Sequence, residues 1–139
     1  MDRLQTARAC AQAMFDDDRA SQALGISFEV PAVGEVIASM RVRDDMLNGF
    51  DVCHGGLIFA LADTAFAFAC NAHNRQSVAA SGNIDFLMPA RGGDELSAHA
   101  REIHRGRRGG VFQVDVVNQR SELVAVFRGR SASRDVPLV

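Results

Sequence analysis

Asp63 sits inside the longest apolar run of the chain, Leu57 to Cys70, which it breaks together with Thr64. At helical spacing its same-face neighbours are Phe59, Ala60, Phe66 and Ala67, and none of them can pair with a carboxylate. Burying an unpaired ionised carboxylate costs several kcal/mol, so such a residue either finds a distant partner or is kept for chemistry. Desolvation raises its pKa, as a base poised for proton transfer requires. The bland alternative is an Asp that caps a helix or pairs with a remote Arg. Just ahead of the run stands His54-Gly55-Gly56. The first N–H groups of a helix lack internal partners and carry the positive end of its dipole. A carbonyl oxygen placed there is polarised, which is the logic of an oxyanion hole. A flexible Gly-Gly hinge is the plain alternative. Seven residue steps separate Gly56 from Asp63, about 700° of rotation and about 10 Å along a helix axis. One helix therefore presents both groups on one face but cannot bring both to one carbonyl. A symmetric dimer can, with one subunit's helix start facing its partner's Asp.

The other reactive types narrow the field. Cys10, Cys53 and Cys70 are odd in number and share no CxxC spacing, which reads as free thiols in a reducing cytosol. Cys53 and His54 are adjacent and lack a second ligand pair, so no metal site is expected. All fifteen cations are Arg, against seventeen acids and a net charge of -2. From Arg91 to Asp135 nine Arg face six acids, which allows a local anion site. With no Trp or Tyr, the chain lacks the stacking platforms of single-strand nucleic-acid binders, and no nucleic-acid partner is expected. The longest apolar run is shorter than the roughly 20 residues of a membrane span, and the polar first fifteen residues read as no secretory signal. A cytoplasmic protein without membrane contact is the expectation.

These residues need elements to hold them. With 139 residues, 47% hydrophobic, the chain reads as a single domain over 1–139, with an N-terminal helical segment (1–25) and a short tail (134–139). Leu4, Ala7, Ala11 and Met14 recur at three- and four-residue steps and predict a helix over residues 2 to 15. Asp16-Asp17-Asp18 reads as its solvated end, followed by one helical turn closed by Gly25. Ile26 to Val30 and Glu35 to Arg43 read as strands parted by Pro31 and Gly34. Residues 44 to 56 are rich in turn formers, and Asn48-Gly49 is a common turn dipeptide. The helix from about Gly56 to Ala72 is apolar all round and must be enclosed. Four strands follow, about Ser77 to Met88, Glu95 to His104, Val111 to Asn118 and Leu123 to Ser133, with joints short enough for antiparallel neighbours. His99 and His104, five apart on a strand, are expected on opposite faces as ordinary surface residues. The whole is an α+β fold, a long buried helix wrapped by a curved antiparallel sheet of five to six strands. It is too small to cover both sheet faces alone, so oligomers are expected.

Asn48, His54-Gly55-Gly56 and Asp63, in the frame Leu-Ala-Asp-x-Ala, resemble the hotdog-fold acyl-CoA thioesterases, specifically the phenylacetic acid degradation (PaaI) group. The resemblance continues through Ser81 to Pro89, His104 to Gly110, Val116 to Gln119 and Val126 to Ser131. It implies a helix wrapped by a sheet, dimers paired sheet edge to sheet edge, and tetramers built from them. It implies hydrolysis of an aryl-acetyl-type acyl-CoA, phenylacetyl-CoA or a hydroxylated form, to the acid and CoA. No cofactor is implied, since CoA is part of the substrate. By the same resemblance Asp63 activates water or attacks the thioester itself. The N–H of Gly55 polarises the thioester carbonyl together with the side-chain amide of Asn48. His54 positions that amide, and Ser81 helps hold the water near Asp63 of its own subunit, across the interface from Gly55.

Strand alternation sets Gly82, Ile84 and Phe86 on one face and Ser81, Asn83 and Asp85 on the other, so Ser81 reaches the cleft only if that polar face lines it or Gly82 makes a bulge. Arg105, Arg107 and Arg108, with Arg128 and Arg130 extending the patch, form either a grip on CoA phosphates or a solvated hairpin tip. Phe50, Phe59 and Phe66 suit a ring pocket and equally a packed core. Other classes remain beside the thioesterase: a non-catalytic acyl-CoA sensor on the same fold, a medium-chain acyl-CoA thioesterase, and a hotdog dehydratase, which would more naturally use a His–acid pair. A pure binder gains nothing from a buried carboxylate.

Overall fold

A computed structural model describes residues 1–139. Helix α1 (Arg3–Asp17) opens with a reciprocal cap, Asp2 accepting from the Gln5 N–H at 2.8 Å while the Gln5 side chain accepts from the Asp2 N–H at 2.9 Å. It buries Ala7, Cys10 and Ala11, and its Leu4 and Met14 pack against the core. The short helix α2 (Arg19–Ala23) follows, and Gly25 closes it at φ 69°. Asp18 differs from the expected solvated end: it caps α2, accepting from the Ser21 N–H at 3.0 Å.

Strands β1 (Ser27–Ala32) and β2 (Glu35–Arg41) form the first hairpin. Pro31 lies inside β1 rather than between strands. It is tolerated there because β1 is a sheet edge and its register shifts between Glu29 and Ala32. Helix α3 (Gly55–Cys70) then crosses the molecule. Asn71 ties its far end to the sheet: its amide donates to the carbonyls of Ala67 and Ser77 and accepts from the Ser77 N–H. The remaining strands are β3 (Ser77–Phe86), β4 (Glu95–Arg105), β5 (Gly110–Val117) and β6 (Leu123–Ser133). All pair antiparallel in the order β1-β2-β4-β5-β6-β3, an open six-stranded sheet. Against expectation the short joint after β3 does not make it a neighbour of β4: β3 crosses to the far edge to pair with β6, and β4 pairs with β2.

The inner face of the sheet carries Val36, Ala38, Met40, Leu96, Ala98, Phe112, Val114, Val116 and Phe127, all buried against Leu61, Ala62, Ala65, Phe66 and Ala69 of α3. The Phe66 ring stands 5.6 Å from that of Phe112 and 5.7 Å from that of Phe127. This is the helix-in-sheet hotdog architecture expected above. β3 pairs only with β6, and its other edge is open beside exposed Val78, Phe86 and Leu87. A bulge between Glu102 and His104 shifts the strand by one residue, so His99 (opposite Asp115) and His104 (opposite Val111) share one face rather than taking opposite ones. Both are exposed.

Candidate active site

The segment before α3 folds back on itself through a Leu47–Cys53 bridge, with the Asn48 N–H donating to the Val52 carbonyl at 2.8 Å and the Asp51 N–H to the Asn48 carbonyl at 2.9 Å. Asp51 takes φ 62° at the tip. The Asn48 side-chain oxygen accepts from the N–H groups of Phe50 (2.9 Å) and Val52 (3.4 Å). Its NH₂ group therefore stays available as a donor. The His54 N–H is held by the Met46 carbonyl and the Cys53 N–H by the Ala90 carbonyl, both at 2.8 Å, which fixes the entry to α3.

The helix start then sorts its own donors. His54 is the N-cap, and its Nδ1 accepts from the Gly56 N–H at 2.9 Å. An Nδ1 that accepts belongs to a neutral ring with its proton on Nε2. The Leu57 and Ile58 N–H groups donate to the His54 carbonyl. Gly55 is left with the one N–H of this turn that has no partner in the chain. His54 Nδ1 is thus spent on Gly56 and its Nε2 makes no hydrogen bond in the chain, while the Asn48 oxygen is held by its own loop. Across Gly55 lies Phe86, the last residue of β3: a Cβ built on Gly55 would stand 3.0 Å from the ring's Cζ, so the ring packs directly on the glycine. Together Asn48, Gly49, Phe50, His54, Gly55, Gly56, Phe59, Ile84 and Phe86 line a cleft of about 450 Å³. Phe66 does not reach it; that ring is fully buried in the core. Phe86, which does, was missed by sequence reasoning, although its place on the face shared with Ile84 was a usable signal.

Asp63 lies two turns farther along α3, outside that cleft and half-buried. Its carboxylate makes no hydrogen bond or ion pair in the chain. Burial first, and then the negative charge of Asp18, holds its pKa above the ordinary Asp range. The three thiols are buried and unpaired, and burial lifts Cys70 to about 12. Ser81 is exposed and pairs with Arg130. Position 82 faces inward, where an added Cβ would meet the Phe127 and Phe59 rings, so Ser81 points to the opposite face of β3. A bulge does occur here, at Ala80 between Ala79 and Ser81 rather than at Gly82. Ser81 is not brought to Asp63 within the chain.

The arginines gather at the other end of α3. His104, Arg107, Arg108, Val111 and Arg130 line a second cleft of about 450 Å³ with Gly106, Gly109, Gly110 and Ser131. Arg105 lines smaller grooves beside His73, and Arg128, one step along the outer sheet face, donates to Gln113 at 3.1 Å. Sixteen helical residues, about 22 Å, separate this end from Gly55. No group of three His, Cys, Asp or Glu side chains comes together to hold a metal, and no helix is long and apolar enough to cross a membrane.

Comparison with known proteins places this geometry among relatives. The sequence pattern of the thioesterase superfamily matches residues 50–125. The Escherichia coli (strain K12) protein named acyl-coenzyme A thioesterase PaaI is 46% identical over 121 residues, 87% of this chain and 86% of that one. The structure of the E. coli PaaI protein from the phenylacetic acid degradation operon superposes with a TM-score of 0.94 at 42% identity, covering 96% of this chain and 97% of that one. A Streptococcus mutans UA159 protein, smu.793, solved bound to acetyl-CoA, gives a TM-score of 0.77 at 28% identity over 81% of this chain and 90% of that one.

Proposed function

Because this chain belongs to the thioesterase superfamily, we propose that it is an acyl-CoA thioesterase that hydrolyses an aryl-acetyl-type acyl-CoA, phenylacetyl-CoA or a hydroxylated form, to the free acid and CoA. The observation that carries this reading is the single unpartnered N–H at the start of α3, Gly55, in a cleft shared with the free NH₂ of Asn48 and three phenylalanine rings. The thioester oxygen accepts from both donors. Asp63 takes a proton from water, whose oxygen bonds to the carbonyl carbon. The tetrahedral intermediate collapses, the C–S bond breaks, and the proton passes to the departing sulfur. Water, the thioester and these side chains account for every atom, so no metal or redox cofactor enters. The phenyl group packs among Phe50, Phe59 and Phe86.

The catalytic groups come from two subunits. Edge-to-edge pairing of β3 about a two-fold axis sets the Phe86 end of one strand toward the Ser77 end of its partner. Gly55 and Asn48 of one subunit then face Asp63, and beyond it the arginine cleft, of the other. Ser81, turned to the outer face of β3, is left out of this water site. Arg107, Arg108 and Arg130, with Arg105 and Arg128 behind them, take the CoA phosphates. Two such dimers form a homotetramer, and the free thiols suit the cytoplasm. The test is thiol release from an acyl-CoA panel. Phenylacetyl-CoA or a hydroxylated form is turned over best, and Asp63→Asn loses roughly 10²–10⁴-fold. Wild-type turnover by Asp63→Asn overturns the mechanism, and turnover of medium-chain fatty acyl-CoA alone overturns the aryl assignment.

A further inference from the structure

The acidic run Asp16-Asp17-Asp18 has no part in the site described so far, yet its last member is turned inward. Asp18 stands at the α1–α2 corner, half-buried, and its carboxylate accepts from the Ser21 N–H at 3.0 Å and from the Ser21 Oγ at 2.6 Å. Ser21 is only 3% exposed, and its Oγ lies 3.0 Å from Thr64 Oγ1. Thr64 Oγ1 also lies 2.8 Å from the Ala60 carbonyl; with the Ser21 proton given to Asp18, the single Thr64 proton is shared between Ala60 and Ser21 Oγ. A continuous chain of polar contacts thus pins the corner onto the turn of α3 that carries Asp63. We propose that Asp18 is a positioning residue for the hydrolysis: docked through Ser21 onto Thr64, the residue next to Asp63, it holds a negative charge at the turn of α3 that carries the proposed base.

The surroundings leave Asp18 as the only charge in position to do this. On α3 itself the other titratable group is Cys70, two turns on, a buried thiol that stays neutral. Among the strands packed against α3, the inward-facing acid Glu102 of β4 is engaged with His73 at 2.9 Å beyond the far end of the helix. Glu35 and Arg41 of β2, Asp85 of β3, Arg101 of β4, Asp115 of β5, and Arg128 and Arg130 of β6 alternate onto the outer sheet face. From α1, Asp16 accepts from Gln12 and Asp17 is exposed. Arg3 and Arg8 of α1 and Arg19 of α2, next to Asp18, are exposed and form no ion pair, while burial and the charge of Asp18 act on Asp63 in the same direction.

The inference rests on Asp63 being the base of the proposed reaction, and the experiment separates the two. Asp18→Asn keeps an oxygen to accept from Ser21 and removes only the charge; Asp18→Ser, also a good helix cap, is the second neutral variant. Two readouts are followed with pH: the ¹³Cγ signal of Asp63, and kcat/KM on phenylacetyl-CoA. In either variant the Asp63 signal titrates at lower pH than in the wild type. The acid limb of kcat/KM moves down with it, so a larger share of plateau activity survives on the acid side. Asp17→Asn, a charge removed from an exposed site, moves neither. An Asp63 signal that titrates unchanged in both Asp18 variants overturns the inference. A signal that moves while the acid limb stays supports the charge pairing and overturns Asp63 as the base.

Discussion

Replacing His54 by Asn, Asp and Ala separates what its ring does for the fold from what the helix start does for catalysis. The Nδ1–Gly56 N–H bond is a helix N-cap, and losing such a cap costs about 1 kcal/mol. His54→Ala should therefore lower the melting temperature by about 3–5 °C for a domain of this size. Asn and Asp both restore an oxygen acceptor in nearly the same shape, and Asp adds a favourable interaction with the helix dipole, so both should melt near the wild type. Their chemistry should part company. An Asp carboxylate bonded to the Gly56 N–H sits about 5 Å from an oxyanion hydrogen-bonded to the Gly55 N–H. Two unit charges at that distance repel by about 3 kcal/mol at an effective dielectric of about 20. The developing oxyanion is a partial charge and His54 is exposed, so about 1–2 kcal/mol survives, or roughly 5–30-fold in kcat. The assay is thiol release from phenylacetyl-CoA at fixed ionic strength, paired with thermal unfolding of each variant. Turnover by His54→Asp within twofold of His54→Asn would refute the claim that Gly55 meets a developing negative charge.

Four further outcomes are expected. Gly55→Ala should lower kcat/KM by at least roughly 10-fold, the order of a disturbed oxyanion donor, because its Cβ meets Phe86 Cζ at 3.0 Å. Adding Phe86→Ala should recover part of that loss, whereas additive losses in the double mutant would show that the ring is not the cause. Asp63 has a folded-state pKa raised above its unfolded value, so its ionised form destabilises the fold at pH above the folded value, and the penalty vanishes below the unfolded one. Asp63→Asn should accordingly raise the melting temperature at pH 8 and not in strong acid, as a pH series of unfolding curves will show. Arg107→Ala with Arg108→Ala should raise KM for acyl-CoA and leave KM for an acyl-pantetheine, which lacks the nucleotide phosphates, unchanged. Mixing inactive Asp63→Asn and Asn48→Ala subunits should restore about a quarter of the sites, since half of random dimers are mixed and each holds one intact site; subunit exchange without activity would place the whole site in one chain.

What could be read from the sequence was whatever depends on local periodicity or on a residue out of keeping with its neighbours. Asp63 stood out because a carboxylate in an apolar helix has nothing local to pair with, and the structure leaves it without a partner. The long helix and the four later strands followed from composition, and the short joints correctly set β4 beside β5 and β5 beside β6. The equally short joint after β3 misled, because β3 pairs with β6 and β4 with β2, a choice made by long-range pairing that joint length does not carry. Two other failures each depend on a single inserted residue. The bulge between Glu102 and His104 reverses the face on which His104 lies, and the bulge at Ala80 moves the irregularity off Gly82. An alternation rule has no way to register either.

The remaining gaps all concern which atom a side chain satisfies, and that is decided by competition among donors rather than by residue type. His54 lies close to two plausible uses, the Asn48 amide and the first turn of α3. Asn48 needs no help, because its oxygen is already taken by Phe50 and Val52, whereas Gly56 offers an N–H with no other partner. Capping Gly56 leaves Gly55 as the only unpaired donor of the turn, so the ring selects which N–H is free in the cleft. Asp18 shows the same logic across a longer distance. In sequence it is the end of a charged run; in the fold it is the acceptor that Ser21 needs, and meeting that need carries its charge to the helix turn of Asp63. In both places the proposed catalytic group is recognisable by type, and the group that prepares it is recognisable only once every donor has been given its acceptor.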